Sequence, residues 1–191
     1  MDWNWVRGIS LIICSKTVDC AMALRILWEK IFVVENLISG FCRAFQVFTL
    51  NTEPDSSDIT YMKNALYLTN HMTVSSYHIL KIDLATGNES LILSTSSRLG
   101  GITNDGQHLY VSLPFSRRIV KIDLSAPALT NTIGSGATGN SDGIGLSATL
   151  SAPSGLFFKN DEIFFASLGS HNIRKFNINN LEVTTLLGNN K

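Results

Sequence analysis

The histidines and cysteines are the side chains of this sequence best suited to bind a metal or to act in catalysis. The histidines are scattered along the chain, at positions 71, 78, 108 and 171. The cysteines lie in the first quarter, at positions 14, 20 and 42, without the spacing of zinc ligands. No Ser-His-Asp order or nucleophile-elbow motif is present. We therefore expect no catalytic set, metal site, cofactor or disulfide framework.

A glycine-rich segment, residues 134–145, is the one stretch that could bind a phosphate group. A phosphate-binding loop requires a following lysine in Walker spacing and a helix whose first turn faces the anion. Neither follows this segment. The glycines, with Asp142 beside Gly143, instead indicate tight turns with positive φ.

Composition limits the class of protein and of partner. The chain has 191 residues, of which 45% are hydrophobic and 16% charged, so it can form one domain with a core, or a domain and an appendage. Its 15 basic residues balance 15 acidic ones. This balance disfavours a nucleic acid or an anionic membrane as the partner, and it leaves a protein or a small molecule.

Residues 1–50 differ in character from the rest of the chain. Leu24, Leu27, Trp28 and Ile31 recur at helical spacing, which predicts an N-terminal amphipathic α-helix over residues 24–38. Charged residues interrupt every window long enough to span a membrane. Packing on the following domain is the commoner fate of such a helix, and peripheral membrane contact is the alternative. A further alternative is that this segment does not belong natively to the domain.

Residues 51–58 are polar and turn-forming, and we expect them to be a linker. Beyond the linker, three strand-like stretches align, at residues 66–70, 109–113 and 163–167. A second strand follows each, at residues 79–84, 119–124 and 173–178. A third follows, at residues 89–94, 129–134 and 182–188. Short innermost strands are predicted at residues 101–103 and 155–158, each starting at a glycine eight residues before the next strand.

Side chains alternate between two faces along each second strand, and the apolar one of these faces must be buried. In residues 119–124 this face carries Val120, Ile122 and Leu124. Arg174 replaces the first of these apolar residues in the third copy, and we expect its aliphatic stem to lie along the sheet with its charge in water. Units of about 40 residues with four short antiparallel strands are typical of propeller blades.

Residues 134–188 resemble an NHL repeat, the unit of a family of β-propellers. The resemblance rests on the leader before Asp142-Gly143, on Ala152-Pro153-Ser154-Gly155-Leu156 and on the strands that follow. The two preceding units match more weakly. The resemblance implies a mainly β fold, a partial β-propeller of about three four-stranded antiparallel blades over residues 59–191.

The resemblance also implies where a ligand would bind. Where the family usually has an acidic residue after the anchor strand, this chain has Asn70, Leu113 and Ser167, which disfavours carboxylate-dependent catalysis. The polar residues near these positions are our candidate ligand-binding residues: Asn70, His71, Ser112, Ser167 and His171. A metal shared by His71 and His171 is conceivable, although histidines in polar turns are the commoner interpretation.

The sequence therefore predicts a non-catalytic module that binds a protein or a small ligand through the loops between blades. The alternative is a metal-dependent hydrolase or lyase of the propeller type, whose remaining blades lie outside this chain. Three blades do not close a ring, so open blade edges also predict self-association. We expect the sequence to be a fragment of a longer propeller.

Overall fold

The computed structural model describes residues 10–14, 21–27, 30–38, 41–49, 56–73 and 76–188. The chain divides into two compact units, Met1–Pro54 and Asp55–Lys191, which we call unit 1 and unit 2. Antiparallel β-sheets make up nearly all of the regular structure in both units, and two 3-10 turns are the only helical elements in the described residues. No helix in this part of the chain is long and apolar enough to cross a membrane.

The described residues of unit 1 form one antiparallel sheet in the strand order β1-β2-β3-β4. Its strands are β1 (Ser10–Cys14), β2 (Ala21–Leu27), β3 (Lys30–Ile38) and β4 (Phe41–Thr49). The helix predicted over residues 24–38 is therefore wrong. The apolar residues of this segment satisfy helical spacing, but many of them, such as Ile26, Val33 and Val34, are β-branched and prefer strands. A dense apolar run fits both periodicities, and here the strand preference prevails.

Unit 2 contains three sheets that follow one another along the chain. The first is formed by β5 (Ser56–Met62), β6 (Ala65–Thr73), β7 (Ser76–Asp83) and β8 (Glu89–Thr95). The second is formed by β9 (Ile102–Asn104), β10 (His108–Leu113), β11 (Arg118–Asp123) and β12 (Thr130–Ile133). The third is formed by β13 (Gly143–Ile144), β14 (Pro153–Lys159), β15 (Glu162–Ser167), β16 (Asn172–Asn177) and β17 (Glu182–Leu187).

Each strand predicted from the repeats is present, and the pairing within each sheet is antiparallel. Two of the described strands of unit 2 are not among those predicted. β5 begins at Ser56, so that Ser56–Asp58, expected to end the linker, are strand residues. β13 adds a fifth strand to the third sheet, because the glycine-rich leader pairs with the outer strand β17 before the chain reaches β14.

Repeated turn chemistry explains why the sheets share one plan. Asp83, Asp123 and Asn177 are the last residues of β7, β11 and β16, and a side-chain oxygen of each accepts a hydrogen bond from a backbone N–H two residues ahead. Such Asx turns start the connection to the next strand. Hydrogen bonds from the backbone N–H groups of Thr86 and Ala85 lower the pKa of Asp83. The hydroxyl and backbone N–H of Ser125 lower the pKa of Asp123. The Lys-Ile-Asp pattern is thus a signal for a turn.

The core of unit 2 lies between successive sheets. Leu109, Val111 and Val120 of the second sheet pack against Tyr67 and Ile79 of the first. One sheet further along, Ile163, Phe165 and Phe176 pack against Tyr110 and Ile119. The second and third sheets therefore each bury an aliphatic or aromatic face against the sheet before them. This packing places β9, the innermost strand of the second sheet, beside β5 and β14, the innermost strands of the first and third sheets.

Candidate functional site

A cleft of about 520 Å³ lies at the innermost strands of the three sheets, β5, β9 and β14. Its walls come from residues before and within β5, β9 and β14 and from the loops after β10 and β15. The lining residues are Asp58, Arg98, Leu99, Gly100, Gly101, Pro114, Phe115, Ala152, Ser154, Gly155 and Leu168. We refer to this space as the cleft. Concave surfaces of this size, mostly apolar with a few polar groups, are typical of small-molecule sites.

Asp58 is the acidic residue of the cleft and joins two sheets. One carboxylate oxygen accepts a hydrogen bond from the backbone N–H of Ile59 at 2.9 Å, and the other accepts one from Ile102 in β9, also at 2.9 Å. Burial raises the pKa of Asp58, and these two hydrogen bonds offset the increase only in part. Each carboxylate oxygen keeps capacity for another donor. Asp58 can therefore hold the cleft together and still accept a hydrogen bond from a ligand.

Glycines allow the innermost strands to approach one another at the cleft. A Cβ atom on Gly101 would lie 2.8 Å from the backbone nitrogens of Gly155 and Leu156, which is closer than any side chain tolerates. A Cβ atom on Gly100 would lie 2.6 Å from the Ser112 hydroxyl. The wall between the second and third sheets is thus bare backbone, so a ligand can approach the main chain there without meeting a side chain, although the Gly100 N–H and the Gly100 and Gly101 carbonyls already have partners in the protein.

Arg98 and Phe115 give the cleft a partly apolar rim. The Arg98 guanidinium lies over the Phe115 ring, 5.2 Å from the ring centroid, as in a cation–π contact. Phe115 and Leu168 are both exposed. Exposed aromatic and aliphatic side chains beside a concavity are typical of binding sites, because a ligand that covers them removes apolar surface from water.

Ser112 and Ser167, which the sequence predicts to be ligand-binding residues, support the cleft without lining it. Both are fully buried. The Ser112 backbone exchanges hydrogen bonds with Gly100 and Gly101, and its hydroxyl donates to the Gly101 carbonyl at 3.5 Å. The Ser167 hydroxyl donates to the Ser151 carbonyl at 3.1 Å, next to Ala152 of the cleft. Both serines position cleft backbone.

Asn70, His71 and His171 do not line the cleft either. Asn70 is buried near the end of β6, and the His71 ring stacks on Tyr77 with centroids 4.7 Å apart. His171 is exposed and adopts the left-handed conformation that ends the turn Leu168–Ser170. The five residues are thus divided between three places, two beneath the cleft, two in the first sheet and one on an exposed turn. Their role in ligand binding stays a prediction.

The sequence contained a signal for Asp58 that the repeat analysis missed. Gly101 and Gly155 each stand eight residues before the anchor strand of their sheet, and Asp58 stands eight residues before Leu66. The structure confirms the equivalence, because Ile59, Ile102 and Leu156 pair with corresponding residues of the next strand. If the same eight-residue spacing is applied to the first repeat, Asp58 falls at the position that Gly101 and Gly155 hold at the start of the other two innermost strands.

A second buried polar network lies away from the cleft, around Arg174. Its guanidinium is fully buried and donates to the carbonyls of Thr149 and Ser141 at 2.7 and 2.9 Å and to the Asp142 carboxylate at 2.9 Å. The expectation that the Arg174 charge lies in water is wrong. The leader of the third repeat folds over the sheet and supplies acceptors that compensate the buried charge.

Asp142 completes this network. Burial raises the pKa of its carboxyl, but hydrogen bonds from Arg174 and Thr185 outweigh burial and leave the pKa below its ordinary value. The network ties the leader to β16 and β17. Three of its acceptors come from the leader and bond the two terminal nitrogens of the Arg174 guanidinium, so the network has a structural role.

The described residues contain no group of three or more His, Cys, Asp or Glu side chains that could hold a metal ion. Asp58 is one carboxylate among backbone groups and a guanidinium. In chemical terms the cleft can accept and donate hydrogen bonds, attract a cation through Asp58 and cover an apolar group.

No protein family matches the chain, and no curated protein matches it. Similar folds occur among solved structures. A chain of the nidogen/laminin complex gives a TM-score of 0.68 at 13% identity, over 88% of this chain and 62% of that one. An auxiliary nutrient binding protein from Bacteroides thetaiotaomicron gives 0.62 at 20% identity, over 93% of this chain and 46% of that one.

A second auxiliary nutrient binding protein, from Bacteroides ovatus, gives a TM-score of 0.60 at 20% identity, over 83% of this chain and 44% of that one. The chain thus spans about half the length of both nutrient binding proteins. At these identities the likeness concerns the fold alone. Membership of the NHL-repeat family stays a prediction.

Proposed function

We propose that the three sheets of unit 2 are blades of a partial propeller and form a non-catalytic binding module, with the cleft as its ligand site. The observation that carries the proposal is the convergence of an aspartate, a glycine backbone wall and an exposed aromatic rim on one concave surface. The ligand is a small molecule or a segment of a protein. The two nutrient binding proteins with a similar fold support binding as the class of function.

The cleft favours a ligand with an apolar body and a hydrogen-bond donor. The donor would bind the Asp58 carboxylate. Among the described hydrogen bonds, this carboxylate accepts two, from the backbone N–H groups of Ile59 and Ile102. The apolar body would cover Phe115 and Leu168. Burying a side chain of this kind contributes about 1.5–3 kcal/mol to the free energy of binding, to which the hydrogen bond at Asp58 would add.

Ligand-observed NMR of the purified chain with a fragment library tests this proposal. The library should include primary amines, carboxylic acids and neutral aromatic compounds. We expect saturable binding that Phe115→Ser weakens about tenfold. Leu91→Ser is the matched control, because Leu91 is also a large, exposed apolar residue but lies on β8, outside the cleft.

Three results would contradict the proposal. The first is that no fragment binds saturably. The second is that Phe115→Ser has no effect while His71→Ala or His171→Ala abolishes binding, which would support the residues predicted from the sequence. The third is stoichiometric calcium or zinc in the purified protein with hydrolase or lyase activity that depends on it, which would support the enzymatic alternative.

A further inference from the structure

The outer face of the third sheet is a candidate interaction surface distinct from the cleft. It is formed by side chains of β14 to β17 that point away from the second sheet, and we call it the outer face. Phe157 is 62% exposed, Ile173 40% and Leu187 68%. Phe164 pairs with Phe157 across the strands, and their rings lie 6.4 Å apart. Contiguous exposed apolar residues of this kind mark interaction sites.

The first two sheets bury the same positions. Ile79, Ile119 and Ile173 each pair with the equivalent residue of the neighbouring strand in their own sheet. Ile79 and Ile119 are completely buried beneath the next sheet, as are Tyr67 and Tyr110, the counterparts of Phe164. The outer face therefore has apolar residues at the positions that a neighbouring sheet covers in the first two sheets.

The outer face nevertheless lacks the polar groups by which a covered face bonds the next sheet. Thr60 accepts a hydrogen bond from Asn104 in β9 at 2.7 Å, and Thr103 accepts one from the backbone of Phe158 in β14 at 3.3 Å. Phe157 occupies the position of these two threonines. It can accept no such bond, and it adds apolar surface that the covered faces do not have.

Thr69 and Ala166 show the same change. The Thr69 hydroxyl donates to the Gly100 carbonyl, just before the second sheet, at 3.1 Å. The equivalent residue in the third sheet is Ala166, which pairs with Ile173 as Thr69 pairs with Ile79. Both substitutions replace a hydroxyl that bonds the next sheet with an apolar group. The outer face thus fits an equally apolar surface better than another sheet of this repeat.

We propose that the outer face binds the outer face of a second copy of this chain, forming a symmetric dimer. In such a symmetric contact the same surface of each copy faces the other. Two β-sheets can pack face to face in this way with their strand directions within about 30° of each other. The chain has no net charge to oppose association. On the outer face Lys175 and Glu162 form an ion pair at 2.6 Å, so the face has charges of both signs.

The size of the outer face predicts a weak dimer. Four strands about 4.8 Å apart and six residues of about 3.3 Å each give a surface of roughly 400 Å² per copy. A stable interface of standard size covers about 800 Å² per partner. We therefore expect a weak, reversible dimer that forms only at micromolar or higher protein concentrations.

Sedimentation equilibrium of the full chain from about 1 to about 200 µM tests the dimer. We expect a reversible monomer–dimer equilibrium that the double variant Phe157→Thr with Ile173→Thr weakens at least about tenfold. Threonine keeps the strand preference at both positions and is the residue that the covered faces have in place of Phe157. Leu91→Thr, an exposed strand residue of the first sheet, is the control and should leave the equilibrium unchanged.

The other outcomes overturn the proposal. A monomer throughout this concentration range would do so, as would open-ended aggregation without a defined dimer. A dimer that the double variant does not weaken, or that Leu91→Thr weakens equally, would place the contact elsewhere. If the double variant does not fold, as judged by circular dichroism, the two single variants provide the same test.

Discussion

Asp58 and Asp142 each connect separate segments of unit 2, yet their surroundings change the pKa in opposite directions. Burial raises the pKa of Asp58, and its hydrogen bonds from Ile59 and Ile102 offset this in part. Burial also acts on Asp142, but donors from Arg174 and Thr185 outweigh it and lower the pKa. Two differences explain the opposite directions. Asp58 is more deeply buried than Asp142, whose side chain is 45% exposed, and Asp142 has a guanidinium donor, which stabilises a carboxylate more than backbone amides do.

This difference separates a structural region from a candidate binding region. The Arg174 guanidinium fills the site beside Asp142. No ion pair to Asp58 is present among the described residues, although its carboxylate lines a cleft. A carboxyl group that lines a cleft and whose pKa is raised by burial is typical of functional sites. The following predictions test whether the two aspartates differ in this way, beginning with the largest expected effect.

Replacing Arg174 should produce the largest loss of stability. Arg174→Met keeps much of the side-chain volume but leaves the carbonyls of Thr149 and Ser141 and the Asp142 carboxylate without this donor. We expect the free energy of unfolding to fall by about 2–4 kcal/mol, measured by urea denaturation. Lys175→Met is the control. It breaks a half-exposed ion pair with Glu162 and should cost less than about 1 kcal/mol. Equal losses would contradict the structural role of Arg174.

Asp58→Ala should have the next largest effect. The substitution removes the acceptor of two backbone N–H groups, one of which belongs to the neighbouring sheet. We expect a loss of about 1–3 kcal/mol in the same urea measurement.

Asp83→Ala is the matched control for Asp58→Ala. The Asp83 carboxylate also accepts two backbone hydrogen bonds, from Ala85 and Thr86, but it is exposed, so water can replace it. Its loss should be the smaller of the two. The reverse order would show that Asp58 does not bridge the sheets.

The pH dependence of stability should show the smallest and most specific difference. The folded pKa of Asp58 lies above the ordinary value of 3.8, so its contribution to stability should decrease as pH rises from 3.8 through the folded pKa. The folded pKa of Asp142 lies below 3.8, so its contribution is present above 3.8 and is lost as pH falls through the folded pKa.

Urea unfolding of the wild type, Asp58→Asn and Asp142→Asn between about pH 2.5 and about pH 6 measures both slopes. The free energy of unfolding of the wild type minus that of Asp142→Asn should increase as pH rises towards 3.8. The corresponding difference from Asp58→Asn should decrease as pH rises above 3.8. Slopes of the same sign would show that the surroundings of the two aspartates do not differ as described.

The repeats made the strands of unit 2 predictable from the sequence. Apolar residues alternate along the strands of each repeat. Asp83, Asp123 and Asn177, which the structure shows to form turns, follow Leu66, Leu109 and Ile163 by 17, 14 and 14 residues. The N-terminal strands were mistaken for a helix because a dense apolar run fits two periodicities. Spacing alone cannot separate these, whereas the β-branched content favours strands.

The candidate site was harder to predict because it depends on contacts between distant segments. Arg174 appeared to be a surface residue, since its acceptors lie about 25 to 33 residues earlier in the leader. Asp58 appeared to be part of a linker, because its hydrogen bond to Ile102 crosses 44 residues. Ser112 and Ser167 were found in the sequence, but their hydroxyls bond the backbone, which residue type alone does not reveal.

Amide chemical-shift mapping tests most directly whether the cleft is the binding site. The chain labelled with ¹⁵N would be titrated with the tightest fragment from the screen. We predict that the saturating shifts centre on Gly100, Gly101 and Gly155, whose backbone lines the cleft, while Gly106 on a distant turn does not shift. Shifts centred on residues 70–78 or on His171, with the three cleft glycines unchanged, would contradict the account.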